Sequence, residues 1–375
     1  MYGKFKFDFV MRFIFLTSVF DGSQITEHKA ISPASNKWHA ALLGALPLGP
    51  FDVLIGHTPE PLWPRGARVP ESLGLYSLGW MTKSVPYVNM PFLRNFSLLL
   101  SYLITVTRAL GKMRGDDLVF VTYNPPVWLQ FLTKNLAKKY EASWVSIVAD
   151  GNAPTAADGL VFLSYGYFKS HPIADSKKMH LDGALYQGKV SVELQKKGPR
   201  TVLMYSGTSS KWGGVGYLLQ AYSKVCQNFD VELWISGAGD YSQFSKQYSH
   251  EPSIKFFGML TQSELEYRYE QADIFINPRP ELHDNDKNFP SKLFDYLSYG
   301  KPVISFNTSG LSHQYDDLLI FPTENSVEAL ANSIEQVINW TDSERQLYAS
   351  KLNHYASAVT WDSQAKRFLE FVESI

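Results

Sequence analysis

An anion site of the kind that binds phosphate is predicted in the stretch 288–305. Ser291 and Lys292 stand at the first helical positions, and Asp295 follows one helical turn later. A helix N-terminus presents free N–H groups and a partial positive charge, to which Lys292 adds a full charge. Asp295 offers two oxygens that accept hydrogen bonds from hydroxyls beside a phosphate, such as those of a ribose. An ordinary strand–helix turn with a surface lysine fits the same spacing, so both interpretations stay open at this point.

Local signals place these three side chains at the start of a helix. The apolar run 272–277 predicts a buried strand before them. Pro290 suits a first helical turn, because its missing N–H would have no helical partner there. Gly300 predicts the end of the helix, and Val303 begins another strand.

The composition indicates a two-domain protein without a strong overall charge. The 375 residues are 45% hydrophobic, which is enough for roughly two domains of ordinary size. With 35 Lys and Arg against 36 Asp and Glu, no general field attracts nucleic acid, so an anion site must be local. The single Cys226 excludes an internal disulfide and cysteine-based zinc sites, and it favours a reducing, cytoplasmic location.

Strands alternate with helices through the first half of the chain. Residues 12–18 are interpreted as a first strand rather than as part of a signal peptide. Further strands are predicted at 51–55, 118–122, 143–148 and 160–163, and helices at 36–46, 93–113 and 127–139. Residues 57–91 show no clear period and are interpreted as a long functional insertion. The alternation predicts an α/β fold with a doubly wound parallel sheet.

The second half repeats this pattern after a predicted linker at 196–200. Strands are predicted at 201–205, 231–235, 254–257, 272–277, 303–304 and 318–321, and helices at 214–225, 263–271, 326–340, 342–357 and 362–373. We therefore predict one Rossmann-like domain at 1–195, a second at 196–357, and a C-terminal helix at 358–375 that packs back towards the first domain. Ligands of such sheets bind at the carboxyl ends of the strands.

The predicted helix 93–113 has two possible roles. It is apolar, with Arg94, Arg108, Lys112 and Arg114 around it. Packing on a sheet is the favoured interpretation, and the alternative is a basic, aromatic-edged helix that rests on the anionic inner surface of a membrane. No window reaches the ~20 uninterrupted apolar residues of a spanning helix, so at most a peripheral membrane contact is expected.

Four segments give the second half a recognisable signature. They are Y-S-G-T-S-S-K-W-G-G at 205–214, S-G-A-G at 236–239, F-G-M-L at 257–260 and F-P-S-K-L-F-D-Y-L-S-Y-G-K-P-V-I at 289–304. In this order they resemble the donor-binding domain of GT-B glycosyltransferases, particularly of the retaining family 4 type, over about residues 200–375. The resemblance implies a GT-B fold, in which two Rossmann-like domains face a cleft and the first domain binds a variable acceptor.

The resemblance also implies a binding site for a nucleoside diphosphate sugar with UDP or GDP as the nucleotide. The base pocket would be lined by Gly237, Gly239, Gly258 and Leu260. The phosphate and ribose contacts would come from Gly207, Thr208, Lys211, Arg279, Ser291, Lys292, Leu293 and Asp295. Of these, Lys211 and Lys292 would neutralise the diphosphate with help from N–H groups near Gly207 and Ser291, and Asp295 would hold the ribose hydroxyls.

Two positions depart from the family pattern. The family's arginine before Lys211 is absent, because Gly207 and Thr208 stand where Gly-Arg is expected and the loop is one residue shorter. The first acid of the family's E-x(7)-E motif is replaced by Lys287. The candidates to take over its contact with the sugar are Glu281, Asp284 and Asp286.

Asp284 and Asp286 also fit the D-x-D metal motif of the other glycosyltransferase architecture. A magnesium ion held there would bridge the diphosphate. Lysines and a helix N-terminus already offer that charge compensation, so a metal-independent site is the favoured interpretation and no cofactor is expected.

Contacts with the acceptor are expected from the first half of the chain. Asp150 follows the predicted strand 143–148 and is the candidate for a base or an acceptor-orienting group, although Asp-Gly is also a common turn pair. Asn124 ends another predicted strand and is a weaker candidate. The histidines that could face the cleft are His28, His39 and His180, although each is more often a surface or packed residue.

The predicted function is transfer of a hexose-type sugar from UDP or GDP to a hydroxyl of a glycan or lipid-linked glycan, as in polysaccharide biosynthesis. Retention and independence of metal are expected, and the catalytic candidates are Asp150, Lys211 and Lys292. Two alternatives remain open. One is a sugar-nucleotide epimerase of the same fold, and the other is a non-catalytic sugar-nucleotide-binding partner of a second transferase.

Overall fold

Contacts divide the described part of the chain into two units. The computed structural model describes residues 11–21, 30–111, 117–185, 200–282 and 287–375. The first unit runs to Leu163 and includes His171–Leu181 and Gln364–Ile375; the second contains Ser164–Ser170 and Asp182–Ser363. The boundary predicted at 195 lies outside the described residues. Near the C-terminus the change of unit falls after Ser363, whereas the sequence predicted it at 357–358.

Strands and helices alternate along both units. The strands are β1 (Arg12–Leu16), β2 (Val53–Gly56), β3 (Met81–Ser84), β4 (Leu118–Tyr123), β5 (Ser143–Val148), β6 (Gly159–Phe162), β7 (Lys178–His180), β8 (Thr201–Ser206), β9 (Val231–Ser236), β10 (Ile254–Gly258), β11 (Ile274–Asn277) and β12 (Val303–Ser305). The helices are α1 (Pro33–Ala45), α2 (Leu93–Leu110), α3 (Val127–Tyr140), α4 (Tyr165–Ser170), α5 (Val215–Val225), α6 (Ser242–Gln247), α7 (Gln262–Gln271), α8 (Lys292–Leu297), α9 (Val327–Ile338), α10 (Asp342–Ala358) and α11 (Trp361–Glu373).

Each unit is built on one parallel sheet. Within the described ranges, the first sheet has seven strands in the order β3-β2-β1-β4-β5-β6-β7, and the second has five in the order β10-β9-β8-β11-β12. The central strands β2, β6 and β11 are buried along their whole length and β5 at all but its first residue, as the apolar runs of a sheet covered on both faces require. The predicted α/β fold with two Rossmann-like, doubly wound sheets is confirmed.

Two local predictions differ from the structure. The stretch 57–91 contains β3, a half-exposed edge strand whose sequence lacks the apolar run of its neighbours. The strand predicted at 318–321 is wrong, because within it only Ile320 forms an isolated bridge, with Ile304, before Pro322. Proline cannot donate to a strand ladder, and this limits the pairing.

Acidic side chains fix the register of both sheets at their amino ends. Asp52, Asp158 and Asp273 each precede a strand and accept the backbone N–H near the start of the neighbouring strand, at 2.7, 2.9 and 2.7 Å. With the amino ends tied, the carboxyl ends of neighbouring strands align at the opposite edge of each sheet. The sequence predicted the binding residues at those carboxyl ends.

The last helix closes on the first sheet. The Phe368 ring of α11 lies 6.4 Å from the ring of Phe13 in β1, measured between centroids. Arg367 donates a hydrogen bond to the carbonyl oxygen of His180 at 3.1 Å. These contacts explain why Gln364–Ile375 groups with the first unit although it follows the second in sequence.

Candidate functional site

Three glycine turns meet at the carboxyl ends of β8, β9 and β10. The N–H of Gly207 donates to the carbonyl oxygen of Ser236 at 2.9 Å, and that of Gly237 donates to Gly258 at 2.8 Å. Gly237 has a φ of 126°, and a β-carbon on it would lie 1.8 Å from the carbonyl oxygen of Gly207. Only glycine is compatible with this approach, so the predicted base-pocket glycines hold three strand ends together.

The ammonium group of Lys292 lies against the turn at the end of β8. Its nitrogen is 4.4 Å from the centre of the Tyr205 ring, which is a cation–π contact. A β-carbon on Gly207 would lie 2.6 Å from the same nitrogen. The Tyr205 hydroxyl donates to the carbonyl oxygen of Thr208 at 2.9 Å, which fixes the ring beneath the turn. The fold therefore brings Lys292 to the Gly207 turn, from which it is far apart in sequence.

A tyrosine network anchors α8 to β8 and so positions Lys292. The Tyr296 hydroxyl accepts the N–H of Ser206 at 2.7 Å and donates to the carbonyl oxygen of the same residue at 3.2 Å. The hydroxyls of Ser206 and Tyr269 are also hydrogen-bonded to each other. The Tyr296 ring stacks on Phe275 of β11, with centroids 4.6 Å apart. Tyr296 lies one helical turn after Lys292. By holding Tyr296, these contacts also fix the position of the Lys292 backbone, from which the lysine side chain extends.

The surroundings of Lys292 lower its pKa strongly. Burial and, to a smaller extent, the nearby positive charge of Arg279 together lower the pKa of Lys292 from 10.5 to about 7. Arg279 lies where β11 ends, and Gly214 packs on that segment. A β-carbon on Gly214 would lie 1.8 Å from the carbonyl oxygen of Pro278. Two cations are thus concentrated at one strand edge, an arrangement that an anion stabilises.

Several backbone amides near Lys292 already donate hydrogen bonds to carbonyl oxygens of the chain. The N–H of Ser291 donates to Phe289 at 3.0 Å, and that of Leu293 donates to Pro290 at 3.0 Å. The Leu293 side chain is fully buried, and the N–H of Gly207 belongs to the strand-end contact with Ser236. These three amides therefore already have hydrogen-bond partners within the chain, and Lys292 and Arg279 supply positive charge at this point.

The other predicted contacts lie close to this point. Lys211 is exposed, with its nitrogen 4.7 Å from the centre of the Trp212 ring, in the 3₁₀ turn that precedes α5. Asp295 is partly buried, and its negative charge contributes to raising the pKa of Tyr296 after the larger effect of burial. Thr208 is partly buried, and its hydroxyl accepts the N–H of Ser210 at 3.3 Å.

The region expected to contact the sugar is organised differently from the family pattern. The Lys287 nitrogen lies 5.3 Å from the centre of the Tyr167 ring of α4. Glu281 accepts both the N–H of Ser309 at 2.9 Å and its hydroxyl at 2.7 Å. A cavity of about 550 Å³ adjoins Glu281 and Thr308. The Thr308 hydroxyl is buried without a hydrogen-bond partner among the described residues, and the other candidates, Asp284 and Asp286, lie outside them.

In the first unit the structure brings together Asn124 and Asp150. The Asn124 side-chain amide donates to a carboxylate oxygen of Asp150, and its oxygen accepts the N–H of Ala149 at 2.8 Å. Asn124 has a φ of 41°, which is rare for a residue other than glycine. Asp150 is exposed at the carboxyl end of β5. Asn124 thus orients a carboxylate at the sheet edge where ligands of such folds bind.

The histidines have mainly structural environments. His39 is buried on the Tyr123 ring, with centroids 3.9 Å apart, and burial lowers its pKa to about 3. The ring of His180 contacts the carbonyl oxygen of Leu163 at 3.2 Å, and His28 lies outside the described residues. His57, which the sequence did not single out, follows β2 with its ring nitrogen 2.9 Å from the Tyr102 hydroxyl.

No group of three or more potential metal ligands occurs in the described ranges.

Comparisons with known proteins agree with this architecture. Residues 200–339 match the family model described as glycosyl transferases group 1. An uncharacterized glycosyltransferase of Methanocaldococcus jannaschii is 21% identical over 174 residues, which cover 44% of this chain and 43% of that protein. The match therefore spans less than half of the relative's length.

Solved structures extend the similarity over nearly the whole chain. Sucrose-phosphate synthase from Thermosynechococcus elongatus has a TM-score of 0.68 at 13% identity, covering 96% of this chain and 98% of that one. The apo form of the lipopolysaccharide outer core galactosyltransferase WaaB has a TM-score of 0.65 at 12% identity, covering 97% and 99%. At these identities the likeness shows the fold.

The two sheets therefore give this chain the GT-B fold, and the resemblance of its second half to glycosyltransferases, which the sequence predicted, is confirmed by the family match. More narrowly, the segment 200–339 is similar to the glycosyl transferases group 1 family.

Proposed function

We propose that this chain is a glycosyltransferase that moves a hexose-type sugar from UDP or GDP to a hydroxyl of a glycan or lipid-linked glycan. The observation that carries the proposal is the position of Lys292. Its ammonium group is held between the Tyr205 ring and the Gly207 turn, with the charge of Arg279 nearby. A diphosphate bound there meets two positive charges in partly buried surroundings, where electrostatic interactions are stronger than in water.

The chemistry that we assign to the site is a transfer with retention and without a metal ion. The bond between the anomeric carbon and the diphosphate oxygen breaks, and the acceptor oxygen forms a new bond from the same face. The acceptor proton passes to the departing phosphate. Lys292, Arg279 and Lys211 stabilise the negative charge that develops on that phosphate, and preorganised charge of this kind usually supplies the largest share of catalysis.

The remaining site residues take supporting roles in this proposal. Asp295 holds the ribose hydroxyls through its carboxylate oxygens. Glu281 and Thr308, beside the cavity of about 550 Å³, contact the sugar in place of the missing family acid. Asp150, oriented by Asn124, positions the acceptor hydroxyl.

The experiment is a measurement of nucleoside diphosphate release from UDP- and GDP-hexoses, with and without a lipid extract and with and without EDTA. We expect release that requires the extract and survives EDTA, together with transfer of the sugar to an extract component. Epimerised sugar without an acceptor would assign the chain to the epimerases. Saturable nucleotide binding without turnover in any extract would make it a non-catalytic partner.

Arg279 is expected to replace the family arginine that is absent before Lys211. We predict that Arg279→Gln weakens UDP or GDP binding by roughly 10-fold or more, because a hydrogen bond to a charged group contributes about 1.5–3 kcal/mol. Calorimetric titration measures this change. Arg200→Gln is the matched control, since Arg200 pairs with Asp230 at the amino end of β8. Equal affinities for Arg279→Gln and the control would remove Arg279 from the site.

A further inference from the structure

Helix α2 exposes a continuous apolar face. The side chains of Phe92, Leu93, Phe96, Leu100 and Ile104 form this face, which we call the apolar ridge. The spacing of three and four residues places them on one side of the helix. The opposite side packs into the first unit through Leu98, Tyr102, Val106 and Leu110, all of them buried. The exposure of the ridge is therefore a property of a well-packed helix and not of a loose one.

The first residue of the ridge is held in an unusual conformation. Phe92 has a φ of 65°, and its surface is fully exposed to solvent. A positive φ is unfavourable for a residue with a bulky side chain, and projecting that chain into water gains no burial. The fold thus maintains a strained backbone at a residue whose ring contacts little within the chain, which points to a function outside it.

The helices that border the ridge are basic. Helices α2 and α3 contain five Lys and Arg, at positions 94, 108, 134, 138 and 139, although the whole chain has a formal net charge of -1. Helices α2 and α3, which meet at the rings of Tyr102 and Trp128 with centroids 5.4 Å apart, have no acidic residue. Helix α3 also exposes Val127 and Phe131 in its first turns and Lys134 further along.

We propose that the apolar ridge docks the first unit on an anionic membrane surface. Aromatic and aliphatic side chains on one helix face, combined with Lys and Arg, are the features of helices that lie in the plane of a bilayer interface. A second copy of the chain is a poorer occupant, because a symmetric contact would bring two basic surfaces together. No helix among the described residues is long and apolar enough to cross a bilayer, so the contact is peripheral. This inference does not depend on the proposed transfer reaction.

The test is co-sedimentation of the full chain with lipid vesicles at low and high salt. We expect binding to equimolar phosphatidylcholine and phosphatidylglycerol, weaker binding at high salt, and little binding to phosphatidylcholine alone. The double variant Phe92→Ser, Phe96→Ser should lower partitioning of the chain to these vesicles by about tenfold or more, because two aromatic rings that would insert into the bilayer interface are removed. Arg108→Glu with Lys134→Glu should lower it specifically for the anionic vesicles.

Matched controls are available in the second unit. Tyr267→Ser with Leu347→Ser removes two apolar side chains of similar exposure, and Lys246→Glu with Lys351→Glu makes the same charge change. Neither control should alter partitioning, and the thermal unfolding of the ridge variant should match that of the unsubstituted chain. Absence of binding to anionic vesicles at low salt would overturn the proposal. So would a dimer in sedimentation that the ridge substitutions convert to a monomer, because a second copy would then occupy the face.

Discussion

The variant Lys292→Met is expected to bind UDP and GDP roughly 10- to 100-fold more weakly than the unsubstituted chain. The ammonium group is held at the Gly207 turn, where a diphosphate would accept its hydrogen bonds, and hydrogen bonds to charged groups contribute about 1.5–3 kcal/mol. Methionine is close to lysine in length and is apolar, so it keeps the packing on Tyr205 and removes only the charge. Calorimetric titration with each nucleotide measures the loss.

The same variant should stabilise the ligand-free chain. Burial of Lys292 makes its charged form costly, as its lowered pKa shows. Below pH 7 the folded and unfolded states both carry the proton, and the folded state bears the full cost of the charge. Between about 7 and 10.5 the unfolded state holds more protons than the folded one, so the free energy of unfolding rises with pH. The gain from Lys292→Met is therefore largest below pH 7 and disappears towards pH 10.5.

Two lysines serve as comparisons for this result. Lys224 lies on α5, and its ion pair with Glu328, with the nitrogen and oxygen 2.7 Å apart, is solvent-exposed. Lys224→Met should leave both affinity and stability almost unchanged. Lys211→Ala should weaken binding less than Lys292→Met, because Lys211 is exposed and its charge is screened by solvent. Unchanged affinity in both site variants would mean that the donor binds elsewhere.

The architecture could be predicted from the sequence because it depends on local signals. Buried strands such as Ser143–Val148 are apolar runs bounded by polar turns, and the predicted range agrees with the observed one. The strand predictions fail where pairing with a neighbouring strand, and not the local sequence, decides whether a segment forms a strand. The edge strand Met81–Ser84 carries no apolar run, and residues 318–321 do carry one but form only a single bridge there.

The sequence predicts which residue types form the candidate site, but it does not predict their environment. The motif at 289–304 predicted a phosphate site at Lys292, but not the burial and the nearby Arg279 charge that lower the pKa of this lysine. No pattern in the chain could show that the Ser291 amide donates to Phe289. The backbone position of Arg279 likewise depends on Gly214, because a β-carbon on Gly214 would clash with the preceding residue, Pro278. Long-range packing, and not local sequence, sets the electrostatics of this site.

Donor binding is expected to become linked to proton uptake above pH 7. In the ligand-free chain the pKa of Lys292 is about 7, because burial and then the charge of Arg279 disfavour the ammonium form. A bound diphosphate restores a favourable partner and raises this pKa. Above pH 7 the free chain has lost the proton and must regain it on binding, so affinity falls by up to about tenfold per pH unit. Below pH 7 Lys292 is already charged, and its contribution to affinity is constant.

Calorimetry in buffers of different ionisation enthalpy measures the uptake directly, since the released or absorbed buffer heat counts the protons bound. We expect an uptake approaching one proton at pH 8 to 9 in the unsubstituted chain, a range in which the nucleotide phosphate is already fully ionised. Lys292→Met should abolish both the uptake and the slope of affinity against pH. Arg279→Gln should shift the onset of uptake to higher pH, because the charge that lowers the pKa of Lys292 is removed. An uptake that persists in Lys292→Met would assign the titrating group to another residue, whereas its joint loss with affinity would identify Lys292 as the diphosphate contact.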